Sequence, residues 1–392
     1  MNNIRAWAEI DIGRIAQNTA IIRKIVPVGT KLLAAVKADA YGHGAKEVAQ
    51  TMLANGADIL GVALCEEGIK LRQSGITAPI LIMSYTPKPL LNEVLRYGLI
   101  QTIFSVDCYE DLADITATFN AKHNQAKQAE VHIKIDTGMG RLGFLPTTSA
   151  ADDIFRVFCN NSLNVTGIYT HFATSDLADA TFMYHQFDKF NNMLALLATR
   201  KVPVNRLIKH VGNSGMLAQS IKTNFAPQVS TMFLDMVRIG ILLYGLPPSA
   251  DMASVCNTLG LLPAMRLMTR ISMTKTLPAG SGISYGHTFV TNRETLVATL
   301  PIGYADGFHR TLSNKATVLV RGFPAPVIGA ICMDQCMIDV TDVPNAQKIK
   351  PGEPVVIFGE PNHTATDLAS LIGTIGYELI CGVGKRVPRI YL

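Results

Sequence analysis

TKLLAAVKADAYGHGAKEVAQTMLANGADILGVAL, residues 30–64, is the stretch on which the fold turns. Its two ends, TKLLAAVKA (30–38) and ILGVAL (59–64), are short and almost uninterruptedly apolar. Between them GAKEVAQTMLANGAD places apolar residues at helical spacing and ends near Gly56, a helix stop signal. Strands without polar alternation suit a parallel sheet covered on both faces. The unit is therefore strand, helix, parallel strand.

The same rhythm continues outward through PILIMSY (79–85), QTIFSV (101–106), VHIKID (131–136), NVTGIYTH (164–171), RLIKHVG (206–212) and MVRIGILLYG (236–245). Eight such runs match the strand count of a TIM-type (β/α)8 barrel, and about 250 residues is its usual length. A doubly wound sheet would share the alternation, so periodicity alone leaves closure open. After Pro247-Pro248 the character changes. RLMTRISMTKTL, ETLVATLPIG, ATVLVRG, PVIGAICMDQCMIDV and PVVIFG are strand-like runs between Gly, Pro and Asp turns, with one short helix candidate, TATDLASLIG. The expected division is an α/β barrel over 12–245, then a mainly β C-terminal domain over 246–392 that also takes the N-terminal strand 1–11.

Composition narrows the function classes. With 48% hydrophobic and 17% charged residues among 392, the chain has the make-up of a globular enzyme, not of a disordered or fibrous protein. A formal charge of +5, with no block of consecutive Lys or Arg, gives no basic stripe for nucleic acid. Glu9 and Asp11 interrupt the N-terminus before any apolar stretch of signal-peptide length, and no run reaches the roughly 20 apolar residues of a membrane span. Seven scattered cysteines are not a disulfide framework. Cys332 and Cys336, four apart in what reads as one strand, are expected to share a face as small core residues. A cytoplasmic location follows from these features.

Four constellations carry chemistry. In AVKADAYGHG (35–44), Lys37 stands at the end of the first barrel strand, where barrel enzymes place their sites. A lysine desolvated there can form a Schiff base with an aldehyde; a lone lysine snorkelling at a strand end is the blander reading. In HIKIDTGMGRLGF (132–144), Gly138, Gly140 and Gly143 imitate a dinucleotide fingerprint. The next strand ends in His171 and not in the acidic residue that fingerprint needs, so a nicotinamide site is rejected. Arg141 in the same segment suits a carboxylate, and Lys134 and Asp136 are expected to share a strand face, with an internal charge pair as the plain alternative. Later strand ends carry His171, Asn213, Ser214 and Arg238-Ile239-Gly240-Ile241, the hydroxyl and backbone groups from which barrels make phosphate sites. Finally SYGHTF around Tyr285, GYADG around Tyr304 and CMDQ around Met333 and Asp334 present side chains from tight turns.

Together these motifs resemble the alanine racemase family, fold-type III pyridoxal-phosphate enzymes, from AEIDIGRIAQN near the start to GKRVPRIYL at the end. The resemblance implies pyridoxal 5'-phosphate as cofactor, interconversion of L- and D-alanine, and supply of D-alanine for cell-wall peptidoglycan. Lys37 matches the cofactor lysine and the base on one face. Tyr285 matches the base on the other face, supplied by a second copy in a homodimer with shared sites. Arg238 matches the arginine facing the pyridine nitrogen. Arg141 matches the residue holding the substrate carboxylate and cofactor phenolate, and Lys134 a position carbamylated in many members. Tyr41, Ser214, Gly240, Ile241 and Tyr377 match phosphate contacts. His171 and Asn213 match residues around the cofactor ring. Met333 matches a partner residue at the substrate carboxylate with Asp334 beside it, and Tyr304 one at the entrance. The alternatives are racemisation of another small amino acid such as serine, or a decarboxylase of the same architecture, against which the SYGHTF tyrosine counts. Neither nucleic acid nor membrane is an expected partner.

Overall fold

The computed structural model describes residues 4–392; residues 1–3 of the expected N-terminal strand lie outside the described residues. Strand β1 (Ala6–Ile10) comes first. Eight parallel strands follow: β2 (Lys31–Ala35), β3 (Ile59–Val62), β4 (Ile80–Ile82), β5 (Ile100–Ile103), β6 (Ala129–Lys134), β7 (Leu163–Tyr169), β8 (Ile208–His210) and β9 (Met236–Ile239). They pair in the order β8-β7-β6-β5-β4-β3-β2-β9. The remaining gap, between β8 and β9, is bridged by the Asp235 N–H on the Lys209 carbonyl at 3.1 Å and the Arg238 N–H on the Gly212 carbonyl at 2.9 Å. The sheet is thus a nearly closed eight-stranded barrel, not a doubly wound layer.

Each quoted run overlaps its strand, but β5, β6 and β7 begin one or two residues before their runs and all eight strands end sooner. The clearest case is 236–245, where only Met236–Ile239 is extended and Ile241–Tyr244 coils into a 3-10 turn. That turn is fully buried, so its apolar run reports burial and not strand. Inside the barrel Leu33, Ile59, Leu81, Ile100 and Met236 fill a floor beneath the mouth. Removing this much apolar surface from water, at about 25 cal/mol per Å², makes the floor the rigid base on which the strand ends stand.

After the barrel come β10 (Met265–Arg270), β11 (Met273–Leu277), β12 (Gly282–Ile283), β13 (Phe289–Val290), β14 (Thr295–Leu300), β15 (Thr317–Val320), β16 (Phe323–Pro326), β17 (Cys336–Asp339), β18 (Pro354–Phe358) and β19 (Arg389–Tyr391). They form a six-stranded sheet β16-β15-β18-β10-β1-β19, a three-stranded sheet β11-β14-β17 and the hairpin β12-β13. The mainly β character is as expected, with three differences. Besides Ala365–Ser370 there is a second helix, Gly376–Gly382, and a third spans Ala253–Leu259. Cys332 and Cys336 do not share a strand. Strand β17 begins at Cys336, which is buried, while Cys332 sits in a turn closed by its own N–H on the Gln335 carbonyl at 2.8 Å. No helix among the described residues is long and apolar enough to cross a membrane.

Candidate active site

The residue after the first barrel strand enters an unusual turn. Ala38, Asp39, Ala40 and Tyr41 have φ of 53, 53, 52 and 52°, one turn of left-handed helix built from L residues without a glycine. At roughly 1–2 kcal/mol per residue such a turn persists only where its surroundings hold it. Here Gly42 N–H bonds the Ala38 carbonyl and Gly44 N–H the Asp39 carbonyl, each at 2.9 Å. The turn turns Lys37 into the barrel mouth and carries Tyr41 against Tyr244 and Tyr377, with ring centroids 4.8 and 6.0 Å away.

A cavity of about 610 Å³ opens at the C-terminal ends of the strands. Lys37, Tyr41, Lys134, Arg141, His171, Asn213, Ser214, Arg238, Gly240, Ile241 and Tyr377 all line it. The barrel residues matched to cofactor or substrate roles are therefore brought together, Asp136 is not among them, and Tyr377 joins them from the far end of the chain.

Its electrostatics are mainly positive, with Asp176 the one carboxylate along its wall. Among the described residues none of Lys37, Lys134, Arg141 and Arg238 is salt-bridged to a carboxylate. The charge pair that Lys134 and Asp136 could have formed is absent. Asp136 lies beyond the end of β6, where Oδ1 accepts the N–H groups of Gly138, Met139 and Gly140 and Oδ2 that of Arg141, at 2.9 to 3.1 Å. Gly138 and Gly140 thus help wrap a carboxylate, Gly143 packs against the Asp136 backbone, and no helix starts among the three. The rejection of a dinucleotide loop is consistent with this geometry. Burial, then Arg141, lowers the pKa of Lys37. Burial, then Arg141 and Arg238, brings Lys134 down to about 8.

Arg238 is buried, and burial pulls it to about 10. Its guanidinium donates to the carbonyls of His210 at 2.9 Å, Thr170 at 2.7 Å and Val211 at 3.2 Å. It also donates to Nδ1 of His210 at 2.8 Å and Nδ1 of His171 at 3.2 Å. Burial, then Arg238, holds both imidazoles well below their usual range, hence neutral. An arginine can only donate, so each imidazole carries its proton on Nε2. His210 then donates from Nε2 to Nδ1 of His132, 2.9 Å behind it. His210 also stacks on Tyr169, centroid to centroid 4.6 Å. Sequence reading passed over His132, Tyr169 and His210; histidines inside otherwise apolar strands were the available signal.

On the far side of the cavity Ser214 starts the helix Ser214–Lys222, capped by Asn213, whose side chain accepts from the Met216 N–H. Ser214 Oγ accepts the Gly240 N–H at 2.9 Å. A Cβ on Gly240 would lie 2.5 Å from the Tyr41 hydroxyl, so this strand end must be glycine for the two to meet. Backbone N–H groups at a helix start, two hydroxyls and an unfilled notch form a cradle for an anion.

Tyr285, Tyr304, Met333 and Asp334 do not line the cavity. They form a separate edge on the β domain, with Tyr285 70%, Met333 52% and Tyr304 40% exposed. That edge is stiff. The Tyr304 and Ala305 N–H groups each bond, at 3.1 Å, to the carbonyls of Cys332 and Met333. Asp306, fully buried, accepts from Arg5 and Arg386 at 2.7 Å, and Arg386 reaches Asp334 at 2.5 Å. Exposed aromatic and thioether side chains on a rigid frame mark a surface prepared for contact.

The comparisons agree with this geometry. Family models for the alanine racemase N-terminal and C-terminal domains match residues 10–248 and 264–391. Alanine racemase 1 of Clostridium acetobutylicum is 42% identical over 389 residues, covering 98% of this chain and 95% of its own. The alanine racemase of Desulfovibrio desulfuricans is 42% identical over 391 residues, covering 98% of each. Among solved structures, alanine racemase of Clostridium difficile 630 superposes with a TM-score of 0.89 at 36% identity, over 100% of this chain and 96% of that one. The Bacillus anthracis enzyme with bound L-Ala-P gives 0.87 at 31%, over 99% and 95%. Barrel, appended β domain and cationic mouth coincide with full-length similarity, and the chain belongs to the alanine racemase family, an amino-acid racemase among the isomerases.

Proposed function

We propose that the chain interconverts L- and D-alanine with pyridoxal 5'-phosphate by a two-base mechanism, in the cytoplasm, to supply D-alanine for peptidoglycan. The observation that carries this reading is the convergence of four cationic side chains and an anion cradle in one cavity, where the single lining carboxylate, Asp176, is salt-bridged to none of them. A ligand with a phosphate, a phenolate and an aldehyde fits that donor set: Tyr41, Ser214, Gly240, Ile241 and Tyr377 for the phosphate, Lys37 for the aldehyde, Arg141 for the phenolate, His171 and Asn213 beside the ring, and Arg238 toward the ring nitrogen. When bound, this cofactor supplies the electron sink that acidifies the α-hydrogen of an amino acid.

The protein does the rest. Arg141 orients the substrate carboxylate. Lys37 Nζ takes or returns the α-proton on one face, and burial, which lowers its pKa, favours the neutral amine that can take a proton. Arg238, which gives up none of its protons, would sit toward the cofactor's ring nitrogen and would favour quick return of a proton to carbon. The opposite face needs a second base. Tyr285 lies outside the cavity of its own chain, so we assign that role to Tyr285 of the partner subunit in a homodimer, with Met333, Asp334 and Tyr304 completing the entrance. Residues 12–245, joined by Tyr377, then hold the cofactor, and the rest of 246–392 with the N-terminal strand presents the complementary edge.

The test is an enantiomer-resolved assay with added pyridoxal phosphate, started separately from L-alanine and from D-alanine. Convergence to one near-equal mixture, faster than for serine and abolished with the imine absorption band in Lys37→Ala, is expected. An imine band without interconversion would sink the racemase reading.

A further inference from the structure

The strained turn that carries Lys37 is held from outside. Glu67 lies in the helix Cys65–Gln73, which follows β3. Its Oε2 accepts the N–H groups of Ala63 at 2.8 Å and Leu64 at 3.1 Å, which starts its own helix. Its Oε1 does something a helix cap has no need of: it crosses to the neighbouring loop and accepts the N–H of Ala38 at 2.6 Å. Ala38 follows Lys37 and is the first left-handed residue. At the other end of the turn, Asp39 Oδ1 accepts the Ala45 N–H at 2.8 Å. Two carboxylates thus clamp the turn, and only Glu67 ties it to a second strand end.

We propose that Glu67 is a positioning residue for Lys37, its carboxylate bridging the loops after β2 and β3 so that the left-handed turn stays closed and the lysine stays aimed at the cavity. This rests on the reading that Lys37 carries the cofactor. The groups acting on Lys37 are Arg141, Cys381 and Glu67, while Lys134 and His171 in turn feel its charge; Glu67 is the carboxylate among them. Its loss would loosen the turn and leave Lys37 facing mainly positive neighbours. Displacing a catalytic group by about 1 Å costs on the order of a hundredfold in rate.

The experiment compares wild type, Glu67→Ala, and Glu67→Ala combined with Ala38→Gly. Glycine takes a positive φ freely, so it lets the turn form without the clamp. Hydrogen exchange over residues 36–45 is measured without cofactor, and kcat and KM for alanine per bound cofactor after reconstitution. Glu67→Ala is expected to speed exchange in this segment at least tenfold and to lower kcat roughly 10- to 100-fold, with KM within about threefold. Adding Ala38→Gly is expected to recover most of both. A lower melting temperature with unchanged exchange at 36–45 and unchanged kcat would reduce Glu67 to a helix cap and overturn the proposal. If Glu67→Ala does not fold, Glu67→Gln, which keeps one acceptor and loses the other, undergoes the same measurements. Should wild type itself fail to racemise alanine, the functional reading fails, while the exchange data still decide whether Glu67 holds the turn.

Discussion

Lys134 is expected to take up carbon dioxide at neutral pH. Burial first, then Arg141 and Arg238, outweighs the opposing pull of Asp136 and brings its pKa from 10.5 to about 8. An amine with that pKa is roughly one-quarter neutral at about pH 7.5, against about one part in a thousand for an ordinary lysine. Only the neutral amine adds to carbon dioxide, forming an N–C bond and releasing a proton. Carbamate formation is therefore favoured roughly two hundredfold over an exposed lysine. The sign for stability follows. A folded-state pKa below the unfolded one means that the ammonium costs the folded chain about 3 kcal/mol at low pH, a cost that fades as pH rises from about 8 to 10.5. Carbamylation removes that cost and gives Arg141 and Arg238, neither salt-bridged to a carboxylate, an anionic neighbour. Protein equilibrated with 13C-bicarbonate is expected to show one protein carbamate resonance by NMR, forming at a rate that rises steeply up to about pH 8 and levels off above it. The resonance should be missing from Lys134→Ala. Absence of the resonance in wild type up to about pH 9, or its persistence in Lys134→Ala, would refute the reasoning.

Other expectations are as direct. Gly240→Ala drives a methyl to within 2.5 Å of the Tyr41 hydroxyl, whose ring is wedged against Tyr244 and Tyr377. It should destabilise by about 1–3 kcal/mol and weaken pyridoxal phosphate binding, readable by melting and by fluorescence titration. Tyr285→Phe should slow racemisation by about a hundredfold or more, while deuterium from solvent still washes into one alanine enantiomer through Lys37; loss of exchange in both enantiomers would argue against a base on each face. Burial alone would raise Asp306, but hydrogen bonds from Arg5 and Arg386 outweigh it and hold the carboxyl below its usual range. Its contribution is thus present above the ordinary carboxylate range and lost as pH falls through the lowered folded-state value. Asp306→Asn should cost about 3 kcal/mol near neutrality, with the gap to wild type closing in acid below about pH 4, measured by urea unfolding across pH.

What the sequence disclosed, and what it hid, has physical reasons. The barrel strands were legible because parallel strands are buried on both faces and so read as apolar runs. The cavity residues were legible because barrels gather chemistry at strand ends. The run MVRIGILLYG overstated its strand, since a buried 3-10 turn is as apolar as a strand. The helix Gly376–Gly382 was hidden by glycine at both ends. The left-handed turn at Ala38–Tyr41 was invisible because only Asp39 among its residues has any local tendency to positive φ; distant groups such as Glu67 hold it. Sequence could place Tyr285 and Met333 in turns, but only the structure shows that they miss the cavity of their own chain.

Strand β1 carries a consequence for how the chain is made. It lies between β10 and β19, with Ala8 beside Leu267 on one flank and Arg389 on the other. During synthesis at roughly 5–20 residues per second, β1 waits tens of seconds for β19. The barrel can close in that interval while β1 trails from it with an unpaired edge, open to any other extended chain. A product cut short before β19, with its barrel intact, would keep that edge for life. Cells expressing such a truncation should lose it to aggregates or proteases, although every cavity-lining residue is present.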